Sequence, residues 1–358
     1  MVTKPALSHF QHHTFDLFVR QLSDEQAAVE LRTPNHNATG VAAFPFTAAE
    51  LRQSRFIPPD ANQPPTLRHA LRQTGQRIFD FLIAHHPDIL TAYNQTLSQP
   101  DQGLILQLHL DNTPHLHHIP WELLCDHEGN HLALSRRTSL IRSFTGLQPR
   151  PLVPITQNLN ILVIHPSPPN YPPLKPLNIP SQTGIAFTPL KPPTWHQLRR
   201  LLRTADNHII HVAAHTHFDQ QTASVQLVFE DDGLASGSRP IDFHQIAAEI
   251  GHSGTPRLVS LFLENPSPTI ATLAAQSLLR AGVSAVIANT APLSASLHLL
   301  IAARLYSSLA AFQPLDQAVT AVRQTIADQS TSSAWASLIL FSRARQQMLF
   351  RSAAPAAE

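Results

Sequence analysis

The chain has 358 residues, 43% of them hydrophobic and only 14% charged, with 25 Lys+Arg against 24 Asp+Glu for a formal net charge of +1. That is enough apolar side chain to fill a core, which excludes wholesale disorder, and the charge balance offers no overall footprint for nucleic acid or an anionic membrane. A single cysteine, Cys125, excludes an intrachain disulfide framework and a cysteine-rich zinc site.

In chain order, 15–22 and 27–34 alternate apolar and polar residues around a polar SDEQ connection, which predicts a hairpin, and 38–46 is a third short strand. Leu67, Leu71, Ile78, Phe79 and Leu82 recur at helical spacing between Thr66 and His85. Leu104, Leu106, Leu108 and Leu110 then mark one face of an alternating strand. Residues 149–158 are rich in proline and polar side chains and read as a linker between an N-terminal α+β region (1–148) and a second domain.

Beyond the linker the pattern changes. Residues 159–165, 208–215, 256–263 and 283–290 are nearly continuous apolar runs, as expected of strands covered on both faces. Amphipathic stretches separate them at Thr194–Arg203, Asp242–Glu249, Ile270–Ala281, Ser294–Ala311 and Leu315–Gln329. Alternation of this kind predicts an α/β domain over 159–343, a mostly parallel sheet with helices on both faces. Residues 229–233, FEDDG, read as a turn between strands, and 344–358 as a disordered tail. No run approaches the roughly 18–20 apolar residues of a membrane span, and the first residues lack the order of a signal peptide. The expectation is a cytoplasmic protein. With 31 prolines, 11 glycines and neither GxGxxG nor GxxxxGK[ST], nucleotide binding through such loops has no support, and no cofactor is expected.

Several segments carry a likeness. Ile119-Pro120-Trp121-Glu122-Leu123-Leu124 is followed by Gly129, His131 to Leu134 and Ser139-Leu140-Ile141-Arg142. His208 to Phe218 reads HIIHVAAHTHF, Ala281 to Val286 reads AGVSAV, and Leu305 to Leu309, Ala318 to Arg323, Trp335 and Leu338 to Phe341 complete the series. In this order and spacing the chain resembles the CHAT family, caspase-like domains of the cysteine-peptidase clan, from about Phe15 to Arg343. The resemblance implies a base histidine at the end of one buried strand and a nucleophilic cysteine at the end of the next. An imidazole beside a thiol favours its thiolate, which is the reactive form.

Carried over residue by residue, His215 takes the place of the base, with Ala214 and Thr216 where the family has glycines. Glu264 stands where the nucleophilic cysteine is expected, followed by Asn265-Pro266. A carboxylate cannot form the thioester of that mechanism, and proline has no N–H to lend the site. The resemblance therefore implies a catalytically inactive member, a protein-binding or scaffold module in a bacterial signalling or defence assembly, contacting partners of unknown identity through a remodelled cleft at His211, Ala214, Thr216 and Asn265. Two enzyme readings stand beside it: a hydrolase using His215 with Glu264, with or without a metal, and a cysteine peptidase with a non-standard nucleophile.

His208, His211, His215 and His217 also invite a zinc reading with Glu264, since on a strand His211, His215 and His217 share parity and face one side, and imidazole and carboxylate suit that ion. The bland alternative is that His211 and His215 are family positions in a chain with 22 histidines, and no metal is expected. A Glu264–His215 ion pair is a third reading. Pro120, Trp121, Glu122 and Arg142 read as structural, with Trp121 packing and Glu122 pairing a buried arginine such as Arg142. Cys125 reads as a small buried apolar residue.

Overall fold

The computed structural model describes residues 10–47, 50, 65–111, 113–167, 179, 181–222, 224–231, 237–329, 333–344 and 347–353. The Leu67 side chain, Asp232 and Gly233 of the FEDDG turn, and residues 354–358 lie outside the described residues. The chain divides into two compact units, with the boundary between Ser143 and Phe144.

In the first unit, strands β1 (Gln11–Gln21), β2 (Gln26–Arg32) and β3 (Asn37–Ala43) form an antiparallel meander. Helix α1 (Pro65–Phe79) widens into a π-turn at Asp80–Ala84, where the His85 N–H reaches back to the Asp80 carbonyl. Pro87, which has no N–H to lose, then opens α2 (Pro87–Ser98), a helix beyond those expected from periodicity. Strand β4 (Gln102–His109) lies parallel between β1 and β5 (Thr138–Ser143), so the order is β3-β2-β1-β4-β5. Leu104, Leu106, Leu108 and Leu110 are all buried.

The second unit contains β6 (Val153–Ile155), β7 (Leu159–Ile164), β8 (Ile185–Pro189), α3 (Trp195–Thr204) and β9 (Ile209–Ala214). A small antiparallel sheet comes next, β10 (Thr216–Asp219), β11 (Ser224–Glu230) and β12 (Ser238–Asp242), with β11 and β12 on either side of the segment read as a turn between strands. Then come α4 (Phe243–Ser253), β13 (Leu258–Leu263), α5 (Pro268–Arg280), β14 (Ala285–Asn289), α6 (Ala295–Ala310), α7 (Leu315–Gln329), β15 (Leu338–Ser342) and β16 (Phe350–Ser352). The main sheet runs β15-β14-β13-β9-β7-β8, parallel except for β15.

Capping explains where the helices start. Thr194, Asp242, Ser267 and Ser294 each accept an N–H of the first turn on a side-chain oxygen. Gly254, at φ 70°, ends α4 in a left-handed conformation that other residues resist. Leu162, Ile210, Val212, Val259, Leu261 and Val286 face α3, α4 and α5 in one continuous core. The alternate residues face the other way, where His211 and Phe262 meet side chains of α6. Helices thus cover both faces of a mostly parallel sheet, and every residue of β9, β13 and β14 is buried.

Two segments differ from expectation. The stretch read as a linker contains β6, and the stretch read as a disordered tail contains β16, which pairs with β6 in parallel. Backbone bonding, not side-chain pattern, orders both, and three-residue strands leave no periodicity to read.

Candidate functional site

The C-terminal ends of parallel strands are where this fold brings loops together. Register puts Leu263 of β13 opposite Ala214 of β9, and the Glu264 N–H donates to the Ala214 carbonyl at 3.2 Å. Glu264 and His215 are therefore the next residues along two neighbouring strands. Their surroundings differ: His215 is buried and Glu264 is exposed. The His215 carbonyl accepts the Val228 N–H, which holds it against β11.

Asn289, at the end of β14 and 1% exposed, fixes the last residue of β13. Its Oδ1 accepts the Leu263 N–H at 2.9 Å, and its amide donates to the carbonyls of Leu263 at 3.1 Å and Ala291 at 2.9 Å. Position 264 thus begins from a pinned backbone. Asn265 is exposed, and Ser267 caps α5 immediately after it. The side chain of Asn289 is a contributor that motif and periodicity miss; a polar residue closing an apolar strand is the signal it carries.

The four histidines of the HIIHVAAHTH run do not share a face. His208 lies at the opposite end of β9, where its Nδ1 accepts the Asn160 N–H. His211 is fully buried under α6, not in an open cleft. The chain turns after Ala214, so His215 and His217 leave the strand whose alternation would have aligned them, and His217 is exposed on β10. Among the described residues no group of three or more His, Cys, Asp or Glu is arranged to hold a metal ion. Ala214 is part of the core facing α5, and Thr216 is buried.

His211 instead belongs to a buried polar cluster. Its Nδ1 lies 2.6 Å from Tyr306 Oη, and its Nε2 lies 3.1 Å from His298 Nε2, both on α6. Phe262 packs on the His298 ring at 4.1 Å between centroids. Burial, then the neighbouring imidazoles His298 and His165, keep His211 well below the ordinary histidine pKa. Burial, then His165, holds His298 down to about 4. Both rings are neutral at pH 7.

The remaining motif residues lie in the first unit. The Trp121 indole N–H donates to the Leu116 carbonyl, and Glu122 pairs with Arg142 at 2.6 Å, both side chains nearly inaccessible. Arg142 also donates to the carbonyls of His117 and Ile119. Cys125 is buried against α1 at Gly75, where an added Cβ would collide with the Leu123 carbonyl and come within 2.7 Å of Cys125 Cβ. Burial, then the Asp126 carboxylate, pushes its thiol up to about 11. At pH 7 that environment strongly favours the neutral thiol over the nucleophilic thiolate.

Chemically, a carboxylate and an imidazole on adjoining strand ends can accept or donate protons, and neither is a thiolate. Among the described residues no helix is long and apolar enough to cross a membrane.

Comparison with known proteins bears on this arrangement. The family model described as "CHAT domain" matches residues 72–343. Two crystal structures of the Saccharomyces cerevisiae separase–securin complex, at 3.0 and 2.6 Å, are similar to this chain at 9% sequence identity and a TM-score of 0.44. Each match covers 94% of this chain but only 30% of that chain. Comparison with curated proteins finds no match.

Proposed function

The chain belongs to the CHAT domain family, and we propose on that footing that it is a catalytically inactive member, a protein-binding or scaffold module of a bacterial signalling or defence assembly. One observation carries the reading. The register of β13 against β9 puts Glu264, not a cysteine, beside His215. The sole thiol, Cys125, is buried in the other unit and held protonated. A strand end that keeps its backbone scaffold through Asn289 but lacks the nucleophile retains a shaped surface without the chemistry. Glu264 and Asn265, both exposed, offer polar groups there to a protein partner.

The test has two arms. A photo-crosslinking residue placed at Asn265 should capture one discrete protein from the source cells, and the same residue at exposed Arg20 should not. Purified protein should hydrolyse a broad peptide panel no faster than a His215→Ala/Glu264→Ala double variant. Hydrolysis that disappears in the double variant would establish the carboxylate–imidazole hydrolase in its place.

A further inference from the structure

Three arginines of the second unit converge at the end of the sheet opposite His215, where α4 and α5 finish. Arg150 donates to the Gly282 carbonyl at 2.8 Å and to the Gly254 carbonyl at 3.1 Å. Arg257 donates to that same Gly254 oxygen at 2.7 Å, to Thr255 at 3.1 Å and to Pro151 at 3.3 Å. Arg343 donates to the Leu279 carbonyl at 2.8 Å and to the Gln148 carbonyl. Leu279 accepts the Gly282 N–H as well, so all three guanidiniums sit on two adjoining helix ends.

Their charge is poorly balanced. Arg32, Arg77, Arg142, Arg199 and Arg203 each pair with a glutamate, whereas among the described residues no carboxylate pairs with Arg150, Arg257 or Arg343. A helix C-terminus supplies the equivalent of roughly −0.5 charge, so two of them leave about two positive charges uncompensated. The repulsion registers on the side chains: burial, then the Arg150 charge, brings Arg257 down to about 10 and lowers Arg343. Arg150 Nε, Arg257 Nη2 and Arg343 Nη2 make no hydrogen bond within the described residues. Arg150 and Arg343 are half-exposed, so these donors are within reach of solvent.

We propose that Arg150, Arg257 and Arg343 form a binding site for the phosphoryl dianion of a small molecule. The excess charge matches a dianion, and planar guanidiniums already held by backbone carbonyls meet phosphate oxygens with little further ordering. Arginine is required in this role, because an ammonium group lacks the paired donors. The site lies at the opposite strand ends from Glu264 and stands whether or not the protein is an enzyme.

The experiment is thermal unfolding of the full chain with inorganic phosphate or pyrophosphate, against sodium chloride at matched ionic strength. Saturating pyrophosphate should raise the midpoint by about 4 °C or more, half-saturating at a concentration below that for phosphate. Arg150→Gln and Arg343→Gln should each lose most of that ligand-dependent shift, and Arg20→Gln should keep it. Reading the shift, and not the absolute midpoint, separates binding from any loss of helix capping. Broadening of the pyrophosphate phosphorus resonance by wild-type protein gives a second readout that needs no variant. The absence of both the shift and the broadening in wild-type protein, or an undiminished shift in both glutamine variants, overturns the proposal.

Discussion

The half-buried His298 places its Nε2 3.1 Å from Nε2 of the fully buried His211, between α6 and the sheet, while the other nitrogen of His211 contacts Tyr306. Each of these contacts takes one proton. Burial, together with the neighbouring imidazoles, disfavours a second proton on either ring, so the pair acts as a neutral fastener between the helix and β9.

That fastener makes stability depend on pH. Both histidines have folded pKa values below the unfolded value of about 6.5, so the unfolded chain binds more protons. The contribution is intact above about pH 6.5 and falls as the pH drops toward the folded value, about 4 for His298. Urea unfolding at about pH 7.5, 6 and 5 should show the loss, at up to about 1.4 kcal/mol per pH unit for each group. His298→Asn should reduce the slope without abolishing it, because His211 and the buried His117, itself held at about 3, remain.

Removing half of the Glu122–Arg142 pair leaves an uncompensated charge in the core of the first unit. Glu122→Leu should destabilise the protein by about 3–5 kcal/mol. The double variant Glu122→Leu/Arg142→Met should recover a good part of that loss, measured by denaturant midpoint.

Asn289→Ala removes three hydrogen bonds from the end of β13 and leaves the Leu263 N–H unpaired in a buried position. A loss of about 2–3 kcal/mol is expected. Hydrogen exchange should speed up across Leu263–Ser267 before it does in β9.

Cys125 should resist alkylation. With its thiol pushed up to about 11, iodoacetamide should label the native protein only as fast as it opens, even at about pH 9. Glu264→Cys supplies a second thiol beside His215, and it should label at about pH 7 far faster than Cys125. Labelling at residue 264 that His215→Ala leaves unchanged would show that His215 does not act on it.

The order of buried strands and amphipathic helices in the second unit was legible in the chain itself, because alternation and helical spacing are local and the caps Thr194, Asp242 and Ser294 stand at the helix starts. The same local signals cannot report what a side chain meets. His211 and His215 sit four residues apart in one apolar run, yet one is fastened beneath α6 and the other stands at a strand end, because the strand stops at Ala214. Asn289 reaches Leu263 across 26 residues, His298 reaches His211 across 87 and Tyr306 across 95. Strand β16 is ordered by pairing with β6, which lies far back in the chain. Composition determined that this chain could fill a core, and its motifs determined the family. Which polar groups were fastened, exposed or gathered with like charges was decided only when long-range packing brought the strand and helix ends together.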